Sequence, residues 1–349
     1  MLSSKALIDP TALIERLQTW MRGLDVTVLG SGASADYGYP LMTPLADHLK
    51  SSVSAPAADA ILWADIRSKL DQGVDLETAL NDIRSDHGLI DDIIAKTWAL
   101  VSARDLDFYH DLTQGRTDFA LADLIKWLET ARRRIDVVTT NYDRVIEYAC
   151  DVAGTIWIDG TGFGYFKRGM RGFETVVREH PKSPPSTIAR IWKVHGSLDW
   201  FSVSGNGIFT ARSLRTAIPE GTKPLIVTPG QGKYERALDD PFRTILTGAD
   251  EVMNNASAFL CVGYGFNDKH VHTKLIRKAQ DPHSRFIILA RTLTDNTKKF
   301  LFNGGCKNFI AIERLEENGR SQVYLPEYTE PISMEMDVWS MRGLCKAII

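Results

Sequence analysis

Four short polar clusters carry residue types able to handle a nucleotide: GSGASADYGYP at 30–40, TTNYD at 139–143, VHGS at 194–197 and GYGFND at 263–268. Each follows an apolar run of strand length, and in an open α/β sheet the ligand crevice lies at the carboxyl ends of the strands. Gly30-Ser31-Gly32-Ala33-Ser34-Ala35 has the G-x-G-x-x-G/A spacing, which lets backbone amides approach a pyrophosphate with no Cβ in the way. Tight strand-to-helix turns also use glycine for geometry alone, and the acid expected about 20 residues on is missing, which counts against a conventional dehydrogenase. Asn141 can orient a water molecule, His195 can accept its proton, and Asp143 can hold an amide or favour positive charge nearby. Each cluster has a plainer reading beside the chemical one. Asn141 or Asp143 could cap the following helix, His195 could sit in a polar turn, and Asn267 or Asp268 could cap a helix opening near Lys269–His270. The joint pattern of Gly, Asn, Asp, His and Ser at four strand ends favours a shared pocket.

The elements that must position these residues read as a doubly wound α/β domain with a mostly parallel, Rossmann-like sheet. Strand-like runs fall at 26–29, 135–138, 188–194, 224–227, 258–262, 286–290 and 309–312, with helix-like segments at 234–254, 268–280 and 294–302 between several of them. Asp9 and Pro10 look like the cap and first residue of a helix ending at Gly23, with Leu13, Ile14, Leu17 and Met21 on one face. Another helix is expected to start near Thr43, with Pro44 at its first position. Spacing from about 57 to 131 is helical, as in Leu62, Ile66 and Leu70 or Ile93, Ile94, Trp98 and Val101. Asp71, Asp75, Asp82, Asp86, Asp91 and Asp92 then read as its solvated face. The domain reading assigns 1–50 and 119–349 to the catalytic domain and 51–118 to a helical insertion. Residues 151–187, rich in Gly and Pro, form a small loop-rich module within it.

Composition sets the remaining bounds. The 349 residues are 44% hydrophobic, enough for a large core, and a net charge of −3 gives no bulk attraction to nucleic acid or membrane. Cys150, Cys261, Cys306 and Cys345 are far apart and suit buried thiols in a reducing compartment. The first helix carries Glu15 and Arg16 where a secretory signal would be apolar, and no run approaches membrane length, so a cytoplasmic location is expected. His270 and His272 stand two apart on a helix and face apart, so no metal site is expected.

In motif order, GSGAS with the following GYP, then TTNYD, VHGS and GYGFND, the chain resembles the sirtuin-like NAD-consuming superfamily. The resemblance covers about 24–290. It implies that Gly30, Ser31, Gly32, Ala33 and Ser34 line the pyrophosphate of NAD, with Thr140, Gly196 and Ser197 in the same pocket. Asn141 matches the asparagine beside the nicotinamide ribose, Asp143 the aspartate that recognises the carboxamide, and His195 the catalytic histidine facing the ribose hydroxyls. Gly263, Gly265 and Asn267 match the adenosine side. Sirtuin deacetylases hold a four-cysteine zinc ribbon between the asparagine and late glycine motifs, where this chain has only Cys150 and Cys261. The pattern therefore looks more like zinc-free sirtuin-like effectors of bacterial anti-phage defence that hydrolyse NAD. The expectation is an NAD hydrolase with NAD as substrate and no metal. It would be a homo-oligomer with a HerA-type ring ATPase as partner by analogy with two-gene defence systems.

Two other classes compete. A sensor module would hold NAD or ADP-ribose without cutting it. A nucleic-acid-acting subunit would use the basic and aromatic residues Phe163, Tyr165, Phe166, Lys167, Arg168, Arg171, Arg178 and Lys182, whose plainer reading is a solvated loop face.

Overall fold

The computed structural model describes residues 9–81, 83, 88–161, 166–168, 187–203, 207–230, 240–315 and 319–349. Helix α1 (Pro10–Arg22) forms as its sequence suggests: the Asp9 carboxylate accepts from the Thr11 N–H, and Leu13, Leu17 and Met21 are buried at four-residue spacing. After β1 (Val26–Leu29) come α2 (Ser31–Ala35), α3 (Met42–Ser52), α4 (Ala60–Asp71), α5 (Leu76–Ala79), α6 (Gly88–Thr113) and α7 (Ala120–Ala131). Helix α3 starts at Met42, so Pro44 is its third residue and not its first. A proline is tolerated there because the first-turn N–H groups have no intrahelical partner. In α4, Trp63 joins Ile66 and Leu70 in the core, while Leu62 is only partly buried.

The chain continues with β2 (Arg134–Thr139), α8 (Val145–Ala153), β3 (Ile156–Ile158), β4 (Phe166–Arg168), β5 (Ile188–Lys193), β6 (Gly196–Val203), β7 (Gly207–Ala211) and β8 (Thr222–Ile226). It ends with α9 (Phe242–Asn255), β9 (Ala258–Val262), α10 (Lys269–Ala279), β10 (Arg285–Ala290) and α11 (Asp295–Lys298), then a π-helical turn, Lys299–Asn303. Last come β11 (Phe309–Leu315), β12 (Arg320–Tyr324), β13 (Ile332–Met334) and α12 (Met341–Ile348).

Among the described residues, nine strands form the main sheet in the order β13-β12-β11-β10-β9-β1-β2-β5-β3, parallel from β11 to β3 and antiparallel at the other edge. Register decides which face each residue serves. Trp192, Val138, Val28, Cys261, Ile288 and Ala311 are successive cross-strand neighbours, and their row packs under Ile245 and Met253 of α9 and Val271 and Leu275 of α10. One residue earlier on each strand, Ile191, Val137, Leu260, Ile287 and Ile310 point to the other face, against Leu17, Leu124, Ile125 and Ile146. Each such side chain contributes roughly 1.5–3 kcal/mol by leaving water. All four cysteines are free and buried.

A second sheet, β4-β7-β6-β8, is wholly antiparallel and corrects one expectation. The run at 224–227 is β8 of this small sheet, not a strand of the parallel alternation. Between β5 and β6 there is no crossover helix. The chain turns at His195–Gly196, where Gly196 has φ +85° and a Cβ would stand 2.0 Å from the Leu225 carbonyl oxygen. An apolar run has the same periodicity in either kind of sheet, so period alone does not separate them. Helix α6 seats the helical layer on this sheet: Trp98 Nε1 donates to Leu198 O at 3.0 Å and its ring lies 6.1 Å from Phe201.

Within 151–187, β3 is the edge of the main sheet and β4 the edge of the small one. Phe163, Tyr165, Arg171, Arg178 and Lys182 lie outside the described residues, and Phe166, Lys167 and Arg168 are described only as strand backbone. Asp82 and Asp86 also lie outside them. No helix among the described residues is long and apolar enough to cross a membrane.

Candidate active site

The parallel ladder runs on past the strand ends and holds the polar clusters side by side. Gly30 N donates to Val262 O (3.1 Å), Gly263 N to Leu289 O (2.8 Å), Thr140 N to Leu29 O (3.2 Å) and Val194 N to Thr139 O (3.0 Å). β1 lies between β2 and β9, where the chain's path across the sheet reverses, and a crevice opens at such a switch point. The cavity there measures about 520 Å³, within the range of small-molecule clefts. Gly30, Ser31, Gly32 and Ser34 line it from the first turn, Thr140, Asn141 and Asp143 from the second. His195 lines it from the β5–β6 turn, and Gly263, Gly265 and Asn267 from the turn after β9. Ala33, Gly196 and Ser197 are not on its wall. Ala33 packs beneath Gly263, Gly196 makes the turn described above, and Ser197 is buried with its hydroxyl toward the Asp199 N–H.

The glycines serve backbone against backbone. A Cβ on Gly30 would lie 2.5 Å from Gly263 O, one on Gly32 2.7 Å from Gly263 Cα, and one on Gly263 2.3 Å from Ala33 N. The two turns are therefore in direct contact, and the missing side chains bring them together.

On one side of the cavity, Ser34 joins two carboxamide-and-carboxylate partners. Asn141 Nδ2 donates to Gly30 O (2.9 Å) and Ser34 Oγ (3.1 Å), and Ser34 donates in turn to the Asp143 carboxylate. With both amide hydrogens used, the Asn141 Oδ1 is the acceptor left for a ligand. Asp143 also accepts from the Val145 N–H at 3.1 Å, so it does cap the turn into α8 while lining the cavity. Burial pushes its carboxyl above the usual range, against the opposing pull of Lys193, Ser34 and the Val145 N–H. Beneath it, the fully buried Lys193 ammonium donates to Asp143 O and to Glu147 Oε1 (2.8 Å). Burial pushes Glu147 up to about 7 despite that cation.

On the other side, His195 Nε2 lies 2.8 Å from Asp268 Oδ2, and both side chains are largely buried. Asp268 is the N-cap of α10, its Oδ1 accepting from His270 N (3.1 Å) and Val271 N (3.0 Å).

Residues 136–305 match the family model of the SIR2-like domain. The match takes in Asn141, Asp143, His195, Gly263 and Asp268, begins after the glycine turn at Gly30, and supports the sirtuin-like superfamily and NAD-dependent activity in general terms. No curated protein matches the chain by sequence. Among solved structures, a Sir2 homologue complexed with 2'-O-acetyl ADP ribose is 13% identical over 96% of each chain, with a TM-score of 0.48. A Sir2 homologue–ADP ribose complex is 12% identical over 96% of each chain (TM-score 0.48), and a Sir2 homologue–NAD complex 13% identical over 85% of this chain and 87% of that one (0.46).

Several residues of the site escape a motif reading. Asp268 is visible in sequence only as a cap. Lys193 interrupts the apolar run IARIWKV, a charge in a buried strand that itself signals a partner. The helical layer supplies Asp75, Leu76 and Glu77 around α5 and Val101 of α6 to the cavity wall. Behind the wall, Asp105 of α6 is fully buried and binds Arg144 and the hydroxyls of Tyr39 and Tyr148. Among the described residues, no three His, Cys, Asp or Glu side chains gather as a metal site requires.

Proposed function

We propose that this protein hydrolyses the N-glycosidic bond of NAD to nicotinamide and ADP-ribose. The observation that carries the reading is that Asn141, Asp143 and His195 open onto one cavity with the contacting glycine turns at Gly30–Gly32 and Gly263. Nicotinamide in NAD is a cationic pyridinium and leaves as a neutral ring, so no general acid is required and the paired carboxylates of ordinary glycosidases are unnecessary. The ribose C1' becomes oxocarbenium-like, water adds its oxygen there, the C1'–N electron pair goes to the ring nitrogen, and one proton is released. Asn141 Oδ1 orients that water, His195 takes its proton, and the Asp143 carboxylate, with acceptor capacity beyond Val145 and Ser34, holds the nicotinamide amide. Thr140 and the backbone of Gly30, Ser31, Gly32 and Gly263 face the diphosphate, with Gly265 and Asn267 toward the adenosine.

The proposal extends to a setting. An unrestrained NAD hydrolase depletes its own cell, so the activity is held in check by assembly, as a homo-oligomer and with a HerA-type ring ATPase. It is released in anti-phage defence, and the order of the four motifs is the support for this part. The test incubates pure protein with NAD, alone and with a candidate ring ATPase, and follows nicotinamide and ADP-ribose by chromatography. Release that disappears in Asn141→Ala is the expected result. Intact NAD under both conditions, with binding seen by calorimetry, makes the protein a sensor instead.

A further inference from the structure

The two oxygens of Asp268 face different duties. Oδ1 takes the His270 and Val271 N–H groups that open α10, whereas Oδ2 lies 2.8 Å from His195 Nε2. A residue that only capped α10 would need the first contact alone. The loop presenting it is tightly determined. Phe266 adopts φ +57°, rare for a bulky side chain, and is fully buried, stacked on Phe300 at 4.4 Å and against Tyr264 at 4.9 Å. The Tyr264 hydroxyl donates to Asp268 O at 3.3 Å. His195 is equally constrained: its carbonyl accepts from Val227 N at 2.9 Å, and the next residue is the sterically locked Gly196. Two turns from opposite sides of the cavity are thus held so that a carboxylate meets one imidazole nitrogen.

We infer that Asp268 is the positioning residue of His195: its carboxylate engages Nε2, fixes the orientation of the ring at the cavity wall, and balances the positive charge the ring gains when it takes the proton of the attacking water. This rests on the hydrolase reading for its chemistry, but the pairing stands on geometry alone. The step balances simply. Water oxygen bonds to C1' as the C1'–N pair leaves with nicotinamide, the water proton moves to the imidazole, and the imidazolium so formed pairs with Asp268 until the proton passes to solvent. The other charged groups on the cavity wall are Asp75 and Glu77 from the helical layer, Asp143 from the turn after β2, and Arg291 from the end of β10; Tyr39, Tyr142 and Tyr264 also line it. Asp268 is the carboxylate in direct contact with the imidazole, 2.8 Å from Nε2.

Asp268→Asn tests the idea because asparagine is as good a helix cap and carries no charge. Asp268→Ser, also a good cap, gives a second uncharged variant. The His195 ring is followed by NMR titration in each protein, with His195→Ala to assign the signal and Glu77→Gln as a control that removes a cavity charge elsewhere. The expected result is a His195 midpoint lower by about one unit in both Asp268 variants and little moved in Glu77→Gln. In turnover of NAD, kcat falls on the order of 100-fold while KM changes little, and Asp268→Asn adds no further loss to His195→Ala. An unchanged His195 midpoint in Asp268→Asn and Asp268→Ser overturns the inference. Absence of nicotinamide release from the unsubstituted protein overturns the hydrolase reading instead, and the titration still decides the pairing.

Discussion

Two polar clusters lie on either side of the cavity wall, built from the same kinds of group and disposed in opposite ways. Behind the wall, Arg144 donates through Nε to Asp105 (2.9 Å) and through one terminal nitrogen to Asp199 (3.0 Å), while Tyr39 and Tyr148 donate to Asp105 at 2.9 and 2.7 Å. Asp105 has no exposed surface, and neither Asp105, Arg144 nor Asp199 reaches the cavity. On the wall, Asn141 and Asp143 use only part of their hydrogen-bonding capacity on the protein and turn the remainder to the cavity, which His195 also lines. Saturation separates the two. A buried cluster whose partners are all internal holds elements together, here α6 to α8 and β6, and one with open acceptors is available to a ligand. Tyr39 touches both, with its hydroxyl on Asp105 and its side chain on the cavity wall.

The contrast can be broken from either side. Arg144→Met, which strips the internal cation and strands two buried carboxylates, is expected to cost about 3–5 kcal/mol in a urea unfolding curve. NAD affinity of the protein that remains folded should be little changed, and a comparable loss of affinity would erase the distinction. Asn141→Ala should do the reverse. Nicotinamide release drops on the order of 100-fold or more, while the unfolding midpoint moves by no more than about 1–2 kcal/mol for the lost contacts to Gly30 and Ser34. Ser34→Ala sharpens the comparison further, since its hydroxyl links Asn141 to Asp143. Turnover about tenfold lower, with a stability loss of about 1 kcal/mol, is expected from removing one bridging hydroxyl.

The smallest expected effect concerns pH. Burial raises Glu147 from 4.5 to about 7 and Asp199 from 3.8 to about 6. A carboxyl with a raised folded-state pKa holds its proton in the native protein after the unfolded chain has released it. Its contribution to stability is therefore full below the unfolded value and is lost as pH rises through the folded one. Between about 4 and 7 these two groups tilt stability downward with rising pH. Glu147→Gln should flatten the upper part of that window in unfolding curves taken at several pH values. An unchanged slope would mean that Lys193 holds Glu147 ionised throughout.

Much of the framework was legible because its determinants are local. The cap at Asp9, the four-residue spacing of Leu13, Leu17 and Met21, and the short apolar runs that became β1, β2, β5, β9, β10 and β11 depend on residues within a turn or a strand of one another. The small sheet was not legible, because β8 reads like any apolar run until its pairing with β6 is known. Nor were the antiparallel strands β12 and β13 at the sheet edge. Asp105 was hidden among the acids of a helical layer that looked solvated, where only packing distinguishes a buried carboxylate from an exposed one.

By itself, the sequence determined that polar residues would follow apolar strands at Gly30, Thr140, His195 and Gly263, since hydrophobic periodicity and glycine placement are properties of the chain read locally. Only the tertiary structure decided that these ends would be neighbours, because β1 takes its place between β2 and β9 through ladders joining segments far apart in the chain. The same register, with the locked turns at Gly196 and Phe266, puts Asp268 against His195, a contact that no local spacing encodes.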